Sequence, residues 1–277
     1  MKKVKAAAIS MTSSPNKGDN LARAKALVLE AARNGADWIQ LPEMFHYFGP
    51  YDRIHENAET THGPAIDLMA GLARQNNVCI FAGTIGERAD GDNYRVHNTS
   101  YVFNRSGELA GKYQKLHLFN LINPDGTKNY CEADGFIQGE NLSVINVDGF
   151  KVGMSICYDL RFPELYRSML ETHGPLDVII APSAFTLATG EAHWELLLRA
   201  RAVENQCYTF AANQVGTHWN QKSTFGHSMI VDPWGRVLAN TKNHEGIAYA
   251  ELDKDEIDSI RKQIPALNNR RKELFKN

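Results

Sequence analysis

Cysteine is scarce and unpatterned in this chain. Its 277 residues hold four: Cys79, Cys131, Cys157 and Cys207, with no CxxC pair. These spacings suit neither a disulfide scaffold nor a zinc site, and no HExxH motif is present. No metal and no organic cofactor is therefore expected. Long apolar runs are missing too; nothing approaches the roughly 18 residues that a membrane helix needs. The opening MKKVKAAAIS begins like a signal peptide, but its apolar stretch is short and polar TSSPNKGDN follows at once, so it reads as a first strand. A cytosolic home without a membrane partner is expected. Charge of one sign is also lacking, with 30 Lys and Arg against 32 Asp and Glu and a net charge of −2. The most basic segment, Asn269-Arg270-Arg271-Lys272, is short and reads as a solvated end. Nucleic acid is a poor partner for such a chain.

What is present is an ordinary globular composition. Apolar residues make up 43%, with twelve Phe, ten Tyr and four Trp, enough to bury a normal core. The length allows one large α/β domain or two small ones. No linker rich in Gly, Pro or Ser interrupts it, so one domain over 1–277 is expected, with 265–277 as a C-terminal tail.

Strand-like and helix-like patterns alternate, which places the chain in the α/β class. Strands are expected over Val4–Ile9, Asp37–Leu41, Val78–Thr84, Val178–Ala181, Cys207–Ala212, His227–Val231, Arg236–Ala239 and Ile247–Glu251. Hairpins are expected over Thr99–Phe103 with Glu108–Tyr113, and over Leu142–Val147 with Lys151–Ile156 around Asp148-Gly149. Helices are expected from Asp19 or Asn20 to about Arg33, over Pro64–Gln75, Pro163–Thr172 and Glu191–Asn205, and from Asp253 or Lys254 to Pro265. A long loop, roughly Gln114 to Gly139, stands apart, and loops of that length are often functional. One internal echo is visible: Ser100, Asn104 and Gly107 share their spacing with Ser228, Asp232 and Gly235. It fits either coincidence between common turns or two similar halves.

Three polar residues sit where apolar runs meet loops: Glu43 in IQLPE, Lys115 in GKYQKLHLF and Cys157 in GMSICYDLRFPE. In open α/β sheets ligands gather beyond the carboxyl ends of strands. The runs ending at Glu43, Cys157, Ser183 and Asn213 would face one cleft if they are neighbours. Cys157 is the candidate nucleophile, and a thiol of ordinary pKa needs a base or a positive neighbour to ionise at neutral pH. Cys79 and Cys207 lie in apolar runs and read as small buried hydrophobes; Cys131 lies in a polar loop and reads either way. Glu43 is a general base or a cap. Lys115 is a fixed cation, holding an oxyanion and lowering the thiol pKa, or a surface lysine with its ammonium in water. His117 offers a Cys–His pair instead.

At these residues the chain resembles the nitrilase superfamily of carbon–nitrogen hydrolases, over nearly its whole length. That family carries Glu, Lys and Cys in this order, and LPE, KYQKLHLF and ICYDLRFPE match its three motifs. A second glutamate between Lys and Cys would be Glu132 in YCEADGF. CYDLRFPEL resembles the ω-amidase and deaminated-glutathione-amidase branches. APSAFTLATGEAHWELLLRARAVENQCY looks closer to the latter, since ω-amidases tend to carry GAFN where this chain has SAFT. MFHYFGPYDRI and NLINPDGTKNY are less typical of either.

The resemblance implies an α-β-β-α layered sandwich and an amidohydrolase. It cleaves a terminal amide of a small carboxylate-bearing molecule to the acid and ammonia, with deaminated glutathione as the first choice of substrate and α-ketoglutaramate or α-ketosuccinamate as the alternative. Glu43 takes the thiol proton and Cys157 attacks, forming a thioester. Lys115 and the Tyr158 N–H hold the oxyanion, and Glu132 positions Lys115 or the substrate. Tyr158, Arg161, Phe162, Ser183 and Thr186 are expected at the substrate. Arg161 suits a substrate carboxylate, or else a structural ion pair with Glu164 or Asp159. The resemblance also implies a homodimer or higher homo-oligomer, with the tail after Ile264 crossing to a neighbour. Two readings of other classes stand beside this one: a Cys–His hydrolase or transferase using His117 or His193, and a non-catalytic interaction protein.

Overall fold

The computed structural model describes residues 2–122, 125–126 and 128–274. The end of the tail expected over 265–277 lies outside the described residues, as do 123, 124 and 127 of the loop expected over 114–139.

In the first half, β1 (Lys3–Ser10) leads into α1 (Lys17–Arg33), whose N-terminus is capped by the Asn16 side chain accepting from the Asp19 N–H. Then come β2 (Trp38–Gln40), a single helical turn α2 (Ile54–Asn57) and α3 (Pro64–Asn76). β3 (Cys79–Phe81), β4 (Ile85–Arg88), β5 (Val96–Phe103) and β6 (Leu109–Gln114) follow. The strand expected over Val78–Thr84 stops early because Gly83 adopts φ +48, and a Cβ there would lie 2.0 Å from the Pro42 carbonyl oxygen. The long loop is not featureless. It holds a hairpin of β7 (Asn120–Ile122) and β8 (Lys128–Cys131), a 3-10 turn at Glu132–Asp134, and β9 (Phe136–Ile137).

The second half runs β10 (Val144–Val147), β11 (Phe150–Met154), α4 (Pro163–His173), β12 (Val178–Ile180), α5 (Leu187–Asn205) and β13 (Tyr208–Ala211). A hairpin of β14 (Val215–Thr217) and β15 (Ser223–Phe225) precedes β16 (Met229–Val231), β17 (Val237–Asn240), β18 (Gly246–Asp253) and α6 (Lys254–Gln263). The β10–β11 turn is the one expected: Asp148 and Gly149 both have positive φ, as a two-residue hairpin requires.

Two sheets result. One has the order β18-β1-β2-β3-β5-β4, with β6 and β9 also pairing β5; the other is β10-β11-β12-β13-β16-β17. In each, three parallel strands (β1-β2-β3 and β11-β12-β13) are flanked by antiparallel neighbours. The sequence echo marks a matching turn in each half. Asn104 Oδ1 accepts the N–H groups of Ser106 and Glu108, and Asp232 Oδ1 accepts those of Trp234 and Arg236. Gly107 and Gly235 take the positive φ in both.

Alternation along β1 explains the layers. Ala7 and Ile9 pack with Val28, Leu27 and Met69 of α1 and α3. Ala6 and Ala8 face the other way, into a core shared with Phe150, Tyr208 and Phe210 of the second sheet. Phe81 meets Phe210 across the two sheets with ring centres 5.7 Å apart. The far face of the second sheet takes Leu165 and Met169 of α4 and Trp194 and Leu198 of α5. The architecture is thus α-β-β-α, as expected. No described helix is long and apolar enough to cross a membrane.

Candidate active site

The strand ends converge. Glu43, Cys157, Ser183 and Asn213 each follow within three residues of β2, β11, β12 and β13. Ser183 and Asn213 form a parallel bridge, and the Ala184 N–H donates to Glu43 Oε2 at 2.8 Å. The Gln214 side chain donates to the Glu43 carbonyl at 2.9 Å, tying the two sheets together here.

Glu43 is buried, and its carboxylate accepts three hydrogen bonds, which leaves one acceptor site on Oε2. Oε1 accepts from Asn98 Nδ2 and from Lys115 Nζ, both at 2.8 Å. Lys115 follows β6 and is completely buried. Its Nζ also donates to Glu132 Oε1 at 2.8 Å, while Glu132 Oε2 accepts the Phe119 N–H at 2.7 Å. Burial opposes the charge on Lys115, yet Glu132 and Glu43 outweigh it and hold the ammonium well above its ordinary pKa. Burial pushes the Glu132 carboxyl up, as does Glu43, against the pull of Lys115.

Cys157 opens a 3-10 turn, Cys157–Arg161, directly after β11. It holds φ at +47, a left-handed value that a non-glycine residue adopts at a cost of about 1–2 kcal/mol. That conformation is fixed on both sides, by the Cys157 N–H donating to the Pro182 carbonyl and by the Asp159 N–H donating to the Ile156 carbonyl. The result is a thiol turned out of the strand line. Burial and then Glu43 push the Cys157 thiol well above its ordinary pKa, while Lys115 pulls it down as expected without outweighing them.

Glu43, Glu132 and Cys157 line a cleft of about 520 Å³ with Met44, Phe48, Tyr51, Phe119, Tyr130 and Phe136. A smaller lobe of about 210 Å³ adjoins it, sharing Cys157, Phe119, Ala184 and Thr186 and adding Tyr158, Arg161 and Thr189. Arg161 is therefore at the cleft. It lies over the Tyr158 ring at 5.6 Å and the Phe185 ring at 5.4 Å, and contacts His193 Nδ1 at 3.3 Å. The ion pair with Asp159 or Glu164 is not formed. Two expected substrate residues lie outside the cleft. Ser183 is fully buried with its hydroxyl donating to the Ala181 carbonyl, and Phe162 stacks on His117 at 3.7 Å behind Tyr158.

The sequence reading missed Asn98, which lies mid-strand on β5 with no motif around it. It also missed the role of Asp159. That buried carboxylate accepts from the Tyr113 hydroxyl at 2.8 Å, the Ile156 N–H at 2.9 Å, His117 Nδ1 at 2.7 Å and the His117 N–H at 3.1 Å. Asp159 thereby locks the Cys157 turn to the segment carrying Lys115. His117 is held there by Asp159 and Phe162, as a strut. Asp159→Ala leaves these donors buried and unmatched, so a loss of about 3 kcal/mol or more is expected in urea unfolding, together with a fall in kcat. A variant unfolding at the parent's midpoint would refute this role.

The comparisons with known proteins come to the same place. Residues 5–262 match the model of a family described as carbon-nitrogen hydrolase. A deaminated glutathione amidase from Synechocystis sp. is 39% identical over 98% of this chain and 99% of its own length. The ω-amidase NIT2 of Mus musculus is 37% identical over 97% of this chain and 95% of its own. The crystal structure of the C. elegans NitFhit protein superposes with a TM-score of 0.93 at 34% identity, covering 100% of this chain and 67% of that one.

Proposed function

The chain belongs to the carbon–nitrogen hydrolase family and is a hydrolase acting on amides, and we propose that it cleaves a small carboxylate-bearing amide through a thioester on Cys157. The observation that carries the mechanism is the buried chain of contacts Glu132–Lys115–Glu43 on the wall of the cleft that holds Cys157. Because the thiol is protonated at rest, attack needs a base, and Glu43 is the carboxylate beside it. Glu43 takes the thiol proton as Cys157 Sγ bonds to the amide carbon. Lys115 has three N–H donors, two of them spent on Glu43 and Glu132. The third, with the Tyr158 N–H, meets the oxygen as it becomes negative. Glu43 then returns its proton to the departing nitrogen, leaving an acyl thioester. A water gives its proton to Glu43 and attacks the thioester; Cys157 leaves as the thiol and the acid is released. Glu132 holds Lys115 in place.

For the substrate we propose deaminated glutathione, with α-ketoglutaramate or α-ketosuccinamate as the second reading. The identities of 39% and 37% to the two kinds of relative are too close to choose between them. The SAFT segment favours the first, since ω-amidases tend to carry GAFN where this chain has Ser183-Ala184-Phe185-Thr186. Arg161 in the smaller lobe suits the carboxylate of the acyl half common to the larger substrate and α-ketoglutaramate. The amides of deaminated glutathione are secondary, so its cleavage frees an amine and not the ammonia expected from the sequence, whereas an ω-amide frees ammonia. The assay must therefore follow the new carboxylic acid as well as ammonia. A kcat/KM at least tenfold higher for deaminated glutathione is expected; a tenfold preference for α-ketoglutaramate would reverse the choice.

The rest of the reading follows. The chain forms one hydrolase domain, supported by the family match over 5–262 and by the core shared between the sheets. It works in the cytoplasm as a homodimer or larger homo-oligomer. Exposed Leu187, Leu196 and Val203 on α5, with Trp234 and Ile264, supply apolar surface for such an interface.

A further inference from the structure

A cation without a carboxylate stands against two tyrosines of the larger lobe. Lys222 follows the turn Trp219–Gln221, and its Nζ lies 4.3 Å from the ring centre of Tyr130, 4.9 Å from Trp219 and 5.5 Å from Tyr51. Tyr51 and Tyr130 both line the lobe. Lys17, Lys112, Lys115 and Lys254 each meet a carboxylate. Among the described residues no ion pair or hydrogen bond occupies the Lys222 ammonium. It is half-buried, and that burial lowers its pKa. Ring faces attract a cation but accept few of its N–H groups. A partly desolvated ammonium with donors to spare is costly unless an anion meets it.

The two lobes share Cys157, so a substrate extends from the scissile bond in two directions. Arg161 lies at one end, seated on aromatic rings, and Lys222 lies behind the aromatic wall of the other. Five rings, Phe48, Tyr51, Phe119, Tyr130 and Phe136, line the larger lobe, a surface that suits an organic amine half better than an NH2 group. We propose that Lys222 recognises a second carboxylate, on the side of the scissile amide away from Arg161, so that the preferred substrate is an amide with an anionic group on both its acyl half and its amine half. This rests on the amidase reading and sharpens it. Deaminated glutathione is such an amide, and α-ketoglutaramate carries an anion only on the acyl half.

The test uses deaminated glutathione and the same compound with its C-terminal carboxylate capped as a carboxamide. The parent protein should prefer the carboxylate form in kcat/KM by about tenfold, the scale of one charge-assisted contact. Lys222→Met should erase that preference while leaving turnover of the capped form within twofold, and Lys222→Arg should keep it. A parent indifferent to capping, or a Lys222→Met variant that loses both substrates equally, overturns the proposal and leaves the amidase reading standing. Titration calorimetry of the Cys157→Ala protein with the same pair decides Lys222 without turnover. If capping weakens binding only when Lys222 is present, yet neither compound is hydrolysed by the parent, the deaminated-glutathione reading falls and the carboxylate site stands. Equal binding of the two compounds sinks the site.

Discussion

Cys157→Ala is expected to lose about 10⁵-fold or more in amide turnover while its unfolding free energy stays within about 1 kcal/mol of the parent. Both halves follow from the local structure. The side chain packs little that alanine cannot replace, and the left-handed φ of +47 is retained by the flanking hydrogen bonds. The sulfur, by contrast, has no substitute as a nucleophile. Cys79 and Cys207 are controls, since burial raises each of their pKa values to about 12. Their alanine variants should lose stability before activity. Cys157 alkylation by iodoacetamide should be slow at neutral pH and speed up as pH rises, because burial and Glu43 keep the thiol protonated. Residual turnover above one part in a thousand in Cys157→Ala, or an equal loss in Cys131→Ala, would remove Cys157 from the mechanism.

Lys115→Met carries the second large effect, on stability and rate together. It leaves Glu43 and Glu132 facing each other, buried, with no cation between them. Removing one partner of a buried ion pair costs about 3–5 kcal/mol, and losing one oxyanion donor costs about 10²–10³ in kcat. The sign with pH is definite. The folded-state pKa of Lys115 lies above its unfolded value, so its contribution is complete at neutral pH and is lost only as pH rises past the ordinary lysine range. In the variant burial still pushes the Glu132 carboxyl up and Lys115 no longer pulls it down, so stability should rise as pH falls toward acid. Denaturant midpoints at pH 5 and pH 8, with kcat at saturating substrate, check both. The Cys–His alternative predicts the reverse, with an active Lys115→Met and an inactive His117→Ala.

How much of this was legible in the sequence varies by residue. Glu43, Lys115 and Cys157 were visible because each closes an apolar run at a loop, and local order carries that signal. The Asp148-Gly149 turn and the Asn104 and Asp232 turns were visible for the same reason: the side chain bonds its own backbone within a few positions. The β7–β8 hairpin was not legible, since two short polar strands carry no alternation to read. Asn98 and Lys222 were not legible either. Asn98 lies inside an ordinary strand, and Lys222 acquires meaning only when Tyr51, from 171 positions earlier, packs beside it.

The sequence alone determined the α/β class and the order of the main strands and helices, and it pointed to Glu43, Lys115 and Cys157 as the candidate reacting groups. Those depend on hydrophobic period and on chemistry that each residue carries with it. Tertiary structure alone decided what those groups do. The protonated resting state of Cys157 comes from burial by both sheets. The fixed charge of Lys115 comes from two carboxylates, one 72 and one 17 positions away. The placement of Arg161 and Lys222 in separate lobes comes from loops meeting across the cleft. Desolvation and Coulomb energy depend on distance in space, and only the closed fold sets those distances.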